Sequence, residues 1–583
     1  MKSCRPDQRE RVCLWGGSAI LALFDLATSA GNLSFFSPLS LNSRSGQIDG
    51  PWDAIVVGSG ASGGVAALTL AEGGARVLVI DAGPDLTSKA ALGSEPANLL
   101  RRLEGVSTGR HRQQAQHPGY WKANPRLYAD ERRHPYTHPP ERPFLWTRGL
   151  QVGGRSLTWG GITLRLSDED FQGVDAEDGR VEWPIRFADL EDDYAALERM
   201  FAVHGSSDGL SHLPDGVLQE PLPFTAAEER FASALKEQLG VSAIHSRGFG
   251  PHQPERDGPW PRSSSPGSTL PRAMATGRVA LLSQKLVERL LIDPGADRAD
   301  GVVVIDQSDG ERQTLRADRV VLAASTIQTL AILLRSQREG LNEPSGRLGS
   351  RLMDHVSTSQ FFAFADASEL PQPPLTGAGS FFLPFGRHLE GASFQGGYGL
   401  WGGIGRFDPP GWLRSRPQAV SGFLIGHGEV LPRASNRVSL SSKTDRWDMA
   451  VPHIDCQWGS NEQLMVEHMR QQMQLCIAAG GGESLPFTAL FRLPLANSLL
   501  SGAVALSDGA APPGYYIHEV GGAAMAHAPD RGVLDPDNRL WGARNVLVVD
   551  GACWPTSAWQ SPTLTMMAIS RRACRLALSR RGE

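Results

Sequence analysis

The chain has 583 residues, more than one ordinary domain, and sets 57 Lys+Arg against 62 Asp+Glu for a net charge of −5. That near balance excludes a protein that grips nucleic acid by charge, which would carry a basic excess or stripe. Hydrophobic residues at 41%, with 65 Gly and 40 Pro, describe a loop-rich chain able to bury a large core, not a low-complexity one.

Residues 1–50 read as a flexible N-terminal segment, Ser/Asn/Gly-rich toward its end. Within it, Val12 to Phe24 is an apolar run behind Arg9-Glu10-Arg11. It copies a secretory signal weakly, since Asp25 closes the run and acids enter its leading segment. It is also shorter than the roughly 20 residues that span a bilayer. The expectation is a cytoplasmic protein with no transmembrane segment; if the run is a signal, the protein is exported. Cys4, Cys13, Cys456, Cys476, Cys553 and Cys574 form no C-x-x-C pair, so neither a metal site, a haem attachment nor a disulfide scaffold is expected.

The first chemical signal lies between Trp52 and Gly83. Asp53 to Val57 is a continuous apolar strand of the kind buried on both faces of a parallel sheet. Gly58-Ser-Gly60-Ala-Ser62-Gly63 then matches G-x-G-x-x-G. Gly58 serves the tight turn, Gly60 the approach of a pyrophosphate, and Gly63 the close packing of helix on strand. A helix over Gly64 to Glu72 aims its N-terminal amides at the phosphates, with Ser62 in its approach. A second strand, Arg76 to Ile80, ends at Asp81, about 20 residues beyond the glycines, where a carboxylate meets adenosine ribose hydroxyls. Strand, glycines, helix, strand and acid in that order predict a dinucleotide site. Asp81 favours FAD or NAD over NADP.

Thr87 to Pro143 is rich in Arg, Pro and His and reads as a solvated, lid-like lobe over about 87–143. His134 and His138 are spaced i, i+4, but Pro135, Pro139 and Pro140 deny them a helix on which to hold a metal. Two glycine pairs, Gly153-Gly154 and Gly160-Gly161, flank Ser156 and Trp159 and let backbone lie flat against a planar ligand. Trp183-Pro184-Ile185 opens a helical segment through Met200, and Gly250 to Pro271 is a loop. Val279 to Ala324 holds strand-like runs and leads into a helix over Thr326 to Ser336, a late return of the dinucleotide fold. Short alternating runs at Ser357 to Phe364, Ser380 to Leu383 and Val438 to Leu440 predict an antiparallel sheet. Asn461 to Ala479 follows as one long helix. Near the end, His518 stands beside Val520-Gly-Gly. The strand Asn545 to Val549 delivers Asp550-Gly551, and Gln560-Ser561-Pro562-Thr563 precedes a helix over Met566 to Leu578, whose N-terminus presents a positive dipole end.

The segments VVGSGASGG, VGGRSLTWGG, VVLAASTIQT, LMDHV, HEVGGAAM and VVDGACWPTSAWQSPTLT together resemble the glucose-methanol-choline (GMC) oxidoreductases, from Asp53 to the C-terminal helix. The VGG-R-S-x-x-W form is similar to the branch of pyranose oxidases and gluconate- or fructose-type dehydrogenase flavoprotein subunits. The resemblance implies an α/β fold: a discontinuous Rossmann-type FAD-binding domain over 51–182, 272–352 and 511–583, with an α+β substrate domain built on an antiparallel sheet over 183–271 and 353–510. It implies FAD as cofactor and oxidation of a sugar or polyol alcohol, dehydrogenase more than oxidase. The electrons would pass to a separate quinone, cytochrome or dye-like acceptor, with no nucleic acid involved.

Carried over residue by residue, Gly58, Gly60 and Gly63 would hold the pyrophosphate, with Ser62 beside them, and Asp81 the ribose. Val287 would pair its backbone with adenine. Gly153, Gly154 and Ser156 would lie along the flavin, and Asp550, Gly551 and Thr563 would complete the cofactor pocket. His518 would take the hydroxyl proton while hydride leaves for flavin N5, work suited to a histidine. Three departures stand out. Ser561-Pro562-Thr563 replaces the branch's Asn-Pro-Thr, so a shorter hydroxyl stands at the second catalytic position and Gln560 or a water would have to compensate. Thr158 occupies the place where some pyranose oxidases carry a flavin-bonding histidine, which implies non-covalent FAD. Ala524 and Ala526 replace Arg and Gly. The alternative reading is a FAD-binding homologue without turnover, acting as a binding or assembly subunit.

Overall fold

The computed structural model describes residues 51–580 apart from 294–295, 365–372, 407–414, 417, 487–488 and 490–508. The apolar run at Val12 to Phe24, the flexible segment over 1–50, and Cys4 and Cys13 lie outside the described residues.

Two sheets carry the architecture. The first is mixed and eight-stranded, with a parallel centre built on β1 (Trp52–Val57) and β2 (Val77–Ile80). To them are added β3 (Val279–Leu282), β4 (Lys285–Asp293), β5 (Arg298–Asp306), β6 (Arg312–Leu322) and, from the far end of the chain, β7 (Ala543–Val548). The short strand Arg539–Leu540 closes one edge, and the path runs from it through β7, β6, β1 and β2 to β3. All four contacts between those five long strands are parallel, with Ile55 opposite both Leu78 and Val320. The antiparallel pairs β4–β5 and β5–β6 form a flap off that path.

The continuous apolar sequence of β1 and β2 follows from this placement. Ile55, Val57, Leu78 and Ile80 belong to one core cluster, while Ala54, Val56, Val77 and Val79 belong to another, so both faces of the sheet are covered. The second face is packed by α1 (Ala61–Glu72) through Ala66, Ala67 and Leu70. The first is packed by α2 (Thr326–Arg338) through Ile327 and Leu330. The helix α1 starts at Ala61, three residues ahead of the expected start, because Gly60 caps it in extended conformation with no side-chain cap. Ser62 and Gly63 therefore sit in its first turn.

The second sheet is antiparallel and six-stranded. Its long strands are β8 (Val356–Phe364), β9 (Phe381–Gly386), β10 (Tyr398–Ile404) and β11 (Val420–Gly428), flanked by Glu483–Leu485 and Ile244–His245. A long helix, α3 (Ser460–Ala479), packs across it, and the pairing of surfaces is legible residue by residue. A Cβ at Gly426 would lie 2.6 Å from the Met469 sulfur, and one at Gly428 would lie 2.3 Å from that of Met465. Glycines two apart on the strand thus make room for methionines four apart on the helix. The expected strand around Val438 to Leu440 does exist, as Arg437–Thr444, but it pairs with Ala450–Asp455 in a separate ribbon instead of joining this sheet.

Three further expectations are corrected. Trp183-Pro184-Ile185 does not open a helix: Trp183 is a buried anchor, its indole donating to Thr556 Oγ1 at 2.8 Å, and the helix begins at Glu191. The C-terminal helix α4 (Thr563–Ser579) begins at Thr563, not Met566. The stretch from Thr87 to Pro143 is not simply solvated, since it holds its own apolar cluster of Ala91, Ala115, Tyr120, Leu127 and Tyr128. Among the described residues no helix is long and apolar enough to cross a membrane.

Candidate active site

One elongated cavity of about 460 Å³ runs along the carboxyl ends of the parallel strands, the usual ligand crevice of an open α/β sheet. β1 delivers Gly58, β2 Asp81, β6 Ala323 to Thr326, and β7 Asp550 and Gly551, all of which line it. Of the residues singled out from the sequence, Gly58, Gly60, Ser62, Asp81, Gly154, Ser156, Val287, His518, Asp550, Gly551, Ser561 and Thr563 line this same cavity. Gly63 and Gly153 stand just behind it.

The three glycines of the first motif divide by geometry. A Cβ on Gly63 would fall 1.9 Å from the Gly58 carbonyl oxygen, and one on Gly58, at φ +97°, would fall 2.4 Å from the Ala323 oxygen. Those two are required by the protein's own packing. A Cβ on Gly60 would meet nothing nearer than the Gly153 oxygen at 3.8 Å, so it would project into the cavity. With the uncapped start of α1 beside it, this is a cradle that a phosphate group fits and a side chain would fill.

Ser59, which the motif left as an "x", knits the segments together. Its hydroxyl donates to Asp81 and accepts the Gly153 N–H at 2.8 Å, while its own N–H donates to Asp81 at 3.0 Å. Asp81 also accepts the Gly83 N–H at 2.8 Å; burial pushes its pKa up and these bonds pull it back. Ser156 pins the glycine turn: it donates to the Gly153 oxygen at 2.6 Å and accepts the Ser265 N–H at 2.9 Å. Asp550 is held by Thr329 Oγ1 at 2.6 Å and the Ala552 N–H at 3.0 Å, and burial raises its pKa to about 6.

At the other end stands His518. Its N–H donates to Asp354 Oδ1 at 2.8 Å and its Nδ1 lies 2.9 Å from Nδ1 of His355. Which nitrogen carries the proton follows from chemistry. His355 Nε2 lies 2.5 Å from the Ala558 carbonyl oxygen, which can only accept, so the His355 proton is on Nε2. Burial, with His427 nearby, lowers the His355 pKa to about 3 and keeps the ring neutral. Its Nδ1 is then an acceptor, and His518 must donate from Nδ1. Nε2 of His518 is left with a lone pair on a ring that lines the cavity. Burial first, then His355, His427 and Arg155, hold the His518 pKa well below the usual histidine value.

Arg155 braces the segment, donating to Glu519 at 2.6 Å, to the Ile517 carbonyl at 3.1 Å and to Ser325 Oγ at 2.8 Å. It holds Ile517 at φ +65°, a left-handed conformation that a β-branched residue adopts only under constraint. His427 donates from Nδ1 to the Trp559 oxygen at 2.8 Å. Carbonyls of Ala558 and Trp559 thus seat both flanking imidazoles just ahead of Ser561.

The sequence reading missed His355, Arg155 and Ser59. The LMDHV segment contained the first, but nothing local says that residue 355 meets residue 518. Gln560 is corrected: its amide donates to Asp170 Oδ2 at 2.8 Å, fully buried and away from the cavity, so it replaces nothing at Ser561. Ser561 itself faces the cavity and its hydroxyl has no hydrogen-bond partner among the described residues. Ala524 and Ala526 bond through their backbones to the Val533–Leu534 segment and do not line the cavity. A transverse row of the second sheet also lines the cavity: Ser359 pairs with Ile425 and Ile425 with Trp401, with Trp159 in the lining as well.

Family models described as GMC oxidoreductase match residues 52–357 for the N-terminal part and 432–570 for the C-terminal part. The chain is 25% identical over 565 residues to 6'''-hydroxyparomomycin C oxidase of Streptomyces lividus, covering 92% of each chain. It is 24% identical over 569 residues to the fructose dehydrogenase large subunit of Gluconobacter japonicus, covering 89% of this chain and 96% of that one. Its fold is similar to that of a mutant formate oxidase of Aspergillus oryzae RIB40, with a TM-score of 0.58 at 16% identity, covering 91% of this chain and 98% of the other.

Proposed function

The chain belongs to the GMC oxidoreductase family of flavoproteins acting on CH–OH groups, and from that premise we propose that it oxidises an alcohol group of a sugar or polyol, with His518 as general base. The observation that carries the assignment is the Ala558–His355–His518 chain, which leaves Nε2 of a neutral imidazole free on the cavity wall. FAD, held along the glycine cradle without a covalent link at Thr158, would supply the hydride acceptor. Gly60 and the α1 N-terminus would receive the diphosphate, Asp81 the ribose, and Val287 the adenine edge. His518 takes the hydroxyl proton, and Ser561, whose hydroxyl is unengaged, offers a hydrogen bond to the same oxygen.

The substrate class rests on two supports. Trp401 and Trp159 give flat faces for the C–H surfaces of a sugar ring, and relatives such as fructose dehydrogenase and 6'''-hydroxyparomomycin C oxidase are named for carbohydrate substrates. The electrons pass to a separate quinone, cytochrome or dye-like acceptor, making the protein a dehydrogenase. The test is dye reduction across sugars, polyols and simple alcohols, each run with and without oxygen. Dye turnover on a sugar or polyol that oxygen does not support is expected; efficient oxygen uptake would make it an oxidase. A homologue without turnover has Ser561 as its one support, and dye reduction with any alcohol excludes it.

A further inference from the structure

The lobe over about 87–143 and the segment that leads out of it to Arg148 line one side of the cavity and bring two cations into it, Lys122 and Arg148. Lys122 Nζ and Arg148 Nε and Nη2 are buried, and none has a hydrogen-bond partner among the described residues. Every other cation of the lining is engaged. Arg155 is paired with Glu519, Lys285 with Asp306, and Arg335 donates to the Ala450 and Glu288 carbonyls. The acids of the lining are engaged as well: Asp81 and Asp550 as described, and Asp445 by the N–H groups of Trp447 and Met449. The Arg148 guanidinium lies 4.3 Å from the Trp146 ring centroid and 5.4 Å from that of Tyr136, set by aromatic faces with no carboxylate in contact among the described residues. Glu131 carries charge nearby, but its carboxylate is taken by the Gln113 and Gln114 amides. A buried cation without a counter-ion is costly, and a cavity that holds two of them is short of an anion.

We propose that Lys122 and Arg148 are the counter-charges for phosphate oxygens of the ligand in this cavity, namely the FAD diphosphate, so that the lobe clamps the cofactor by charge. This rests on the flavoprotein reading above. The partial positive charge at the start of α1 is smaller than the charge of a diphosphate, and the lobe supplies the remainder. The same phosphate chemistry could come from a phosphorylated sugar, and the experiment separates the two sources.

Lys122→Met and Arg148→Met keep the aliphatic stems and remove the charge. FAD retention by the purified full-length protein is followed by flavin fluorescence, and rebinding of FAD and of riboflavin, which lacks the diphosphate, is measured after deflavination. Each variant is expected to weaken FAD binding about 10-fold or more, to flatten its salt dependence, and to leave riboflavin binding within about twofold. The flavin-free variants should melt no lower than wild type, because an unpaired buried charge has been removed, and Lys122→Arg should restore FAD affinity. Unchanged FAD affinity with a raised KM for a phosphorylated sugar, its neutral parent unaffected, would overturn the cofactor assignment and give the subsite to substrate. Equal losses for FAD and riboflavin, or no change in any of these, would overturn the proposal. A wild-type protein that takes up no FAD would refute the flavoprotein reading instead.

Discussion

The two ends of the cavity are built in opposite ways. The dinucleotide end is built around one continuous stretch, Trp52 to Asp81, in which Gly63 packs on the Gly58 carbonyl and Ser59 binds Asp81, while Gly58 itself packs on Ala323. The end around His518 is assembled from Arg155, His355, His427, Tyr516 to His518 and Ala558 to Ser561, which meet only through the fold. The first end therefore keeps a local kernel, to which Gly153 and Ala323 are added from elsewhere in the chain. In the second, the three imidazoles come from distant parts of the chain, and two of them are seated by the adjacent carbonyls of Ala558 and Trp559.

The sharpest way to break this contrast is within the glycine motif. Gly63→Ala places a methyl 1.9 Å from the Gly58 oxygen and should cost about 3 kcal/mol or more, leaving little folded flavoprotein in a thermal melt. Gly60→Ala meets no protein atom within 3.4 Å, so the fold should survive while FAD affinity drops about 10-fold or more by fluorescence titration. Equal damage from both would mean that the second glycine is structural as well. At the other end, His518→Ala should slow flavin reduction by about 10²–10⁴-fold in stopped flow with FAD still bound. His355→Phe keeps an aromatic ring but removes the acceptor that fixes the His518 proton on Nδ1. It should cost about 10-fold or more in kcat with FAD affinity nearly unchanged, and lower the melting temperature because the buried Ala558 carbonyl loses its donor.

The smallest effect concerns pH. A general base must be neutral, so its activity is present above its pKa and lost as pH falls through it. Because burial and the neighbouring His355, His427 and Arg155 hold the His518 pKa well below its usual value, kcat/KM should stay flat through pH 6.5 and fall only in more acid solution. An acid limb centred near 6.5 would mean that the site is more solvated than its burial implies.

What the sequence made legible follows the same division. The β1–α1–β2 unit could be read directly because apolar runs, glycine spacing and the terminal acid are all local signals. The helix over Ser460–Ala479 and two strands of the second sheet, Val356–Phe364 and Phe381–Gly386, were legible from their periods, but Tyr398–Ile404 and Val420–Gly428 were not, and the sequence could not say that Arg437–Thr444 leaves that sheet for a separate ribbon. His518 stood out only through the resemblance. The pairing of His355 with His518, the locking of Gln560 by Asp170, and the burial of Trp183 against Thr556 span more than 150 residues each, and no propensity reports a contact of that range. The lobe misled for a different reason: its many Arg and His residues look solvent-borne, yet His117 and His134 are half-buried on the cavity wall, where loss of solvent lowers their pKa values to about 4 and about 3.

The most direct test of the account is the anaerobic visible spectrum of the purified wild-type protein during titration with sugars, polyols and simple alcohols. The account predicts oxidised-flavin bands that bleach with a sugar or polyol and fail to bleach on the same timescale in His518→Ala. Absence of flavin bands, or bands that persist through every addition, would contradict it.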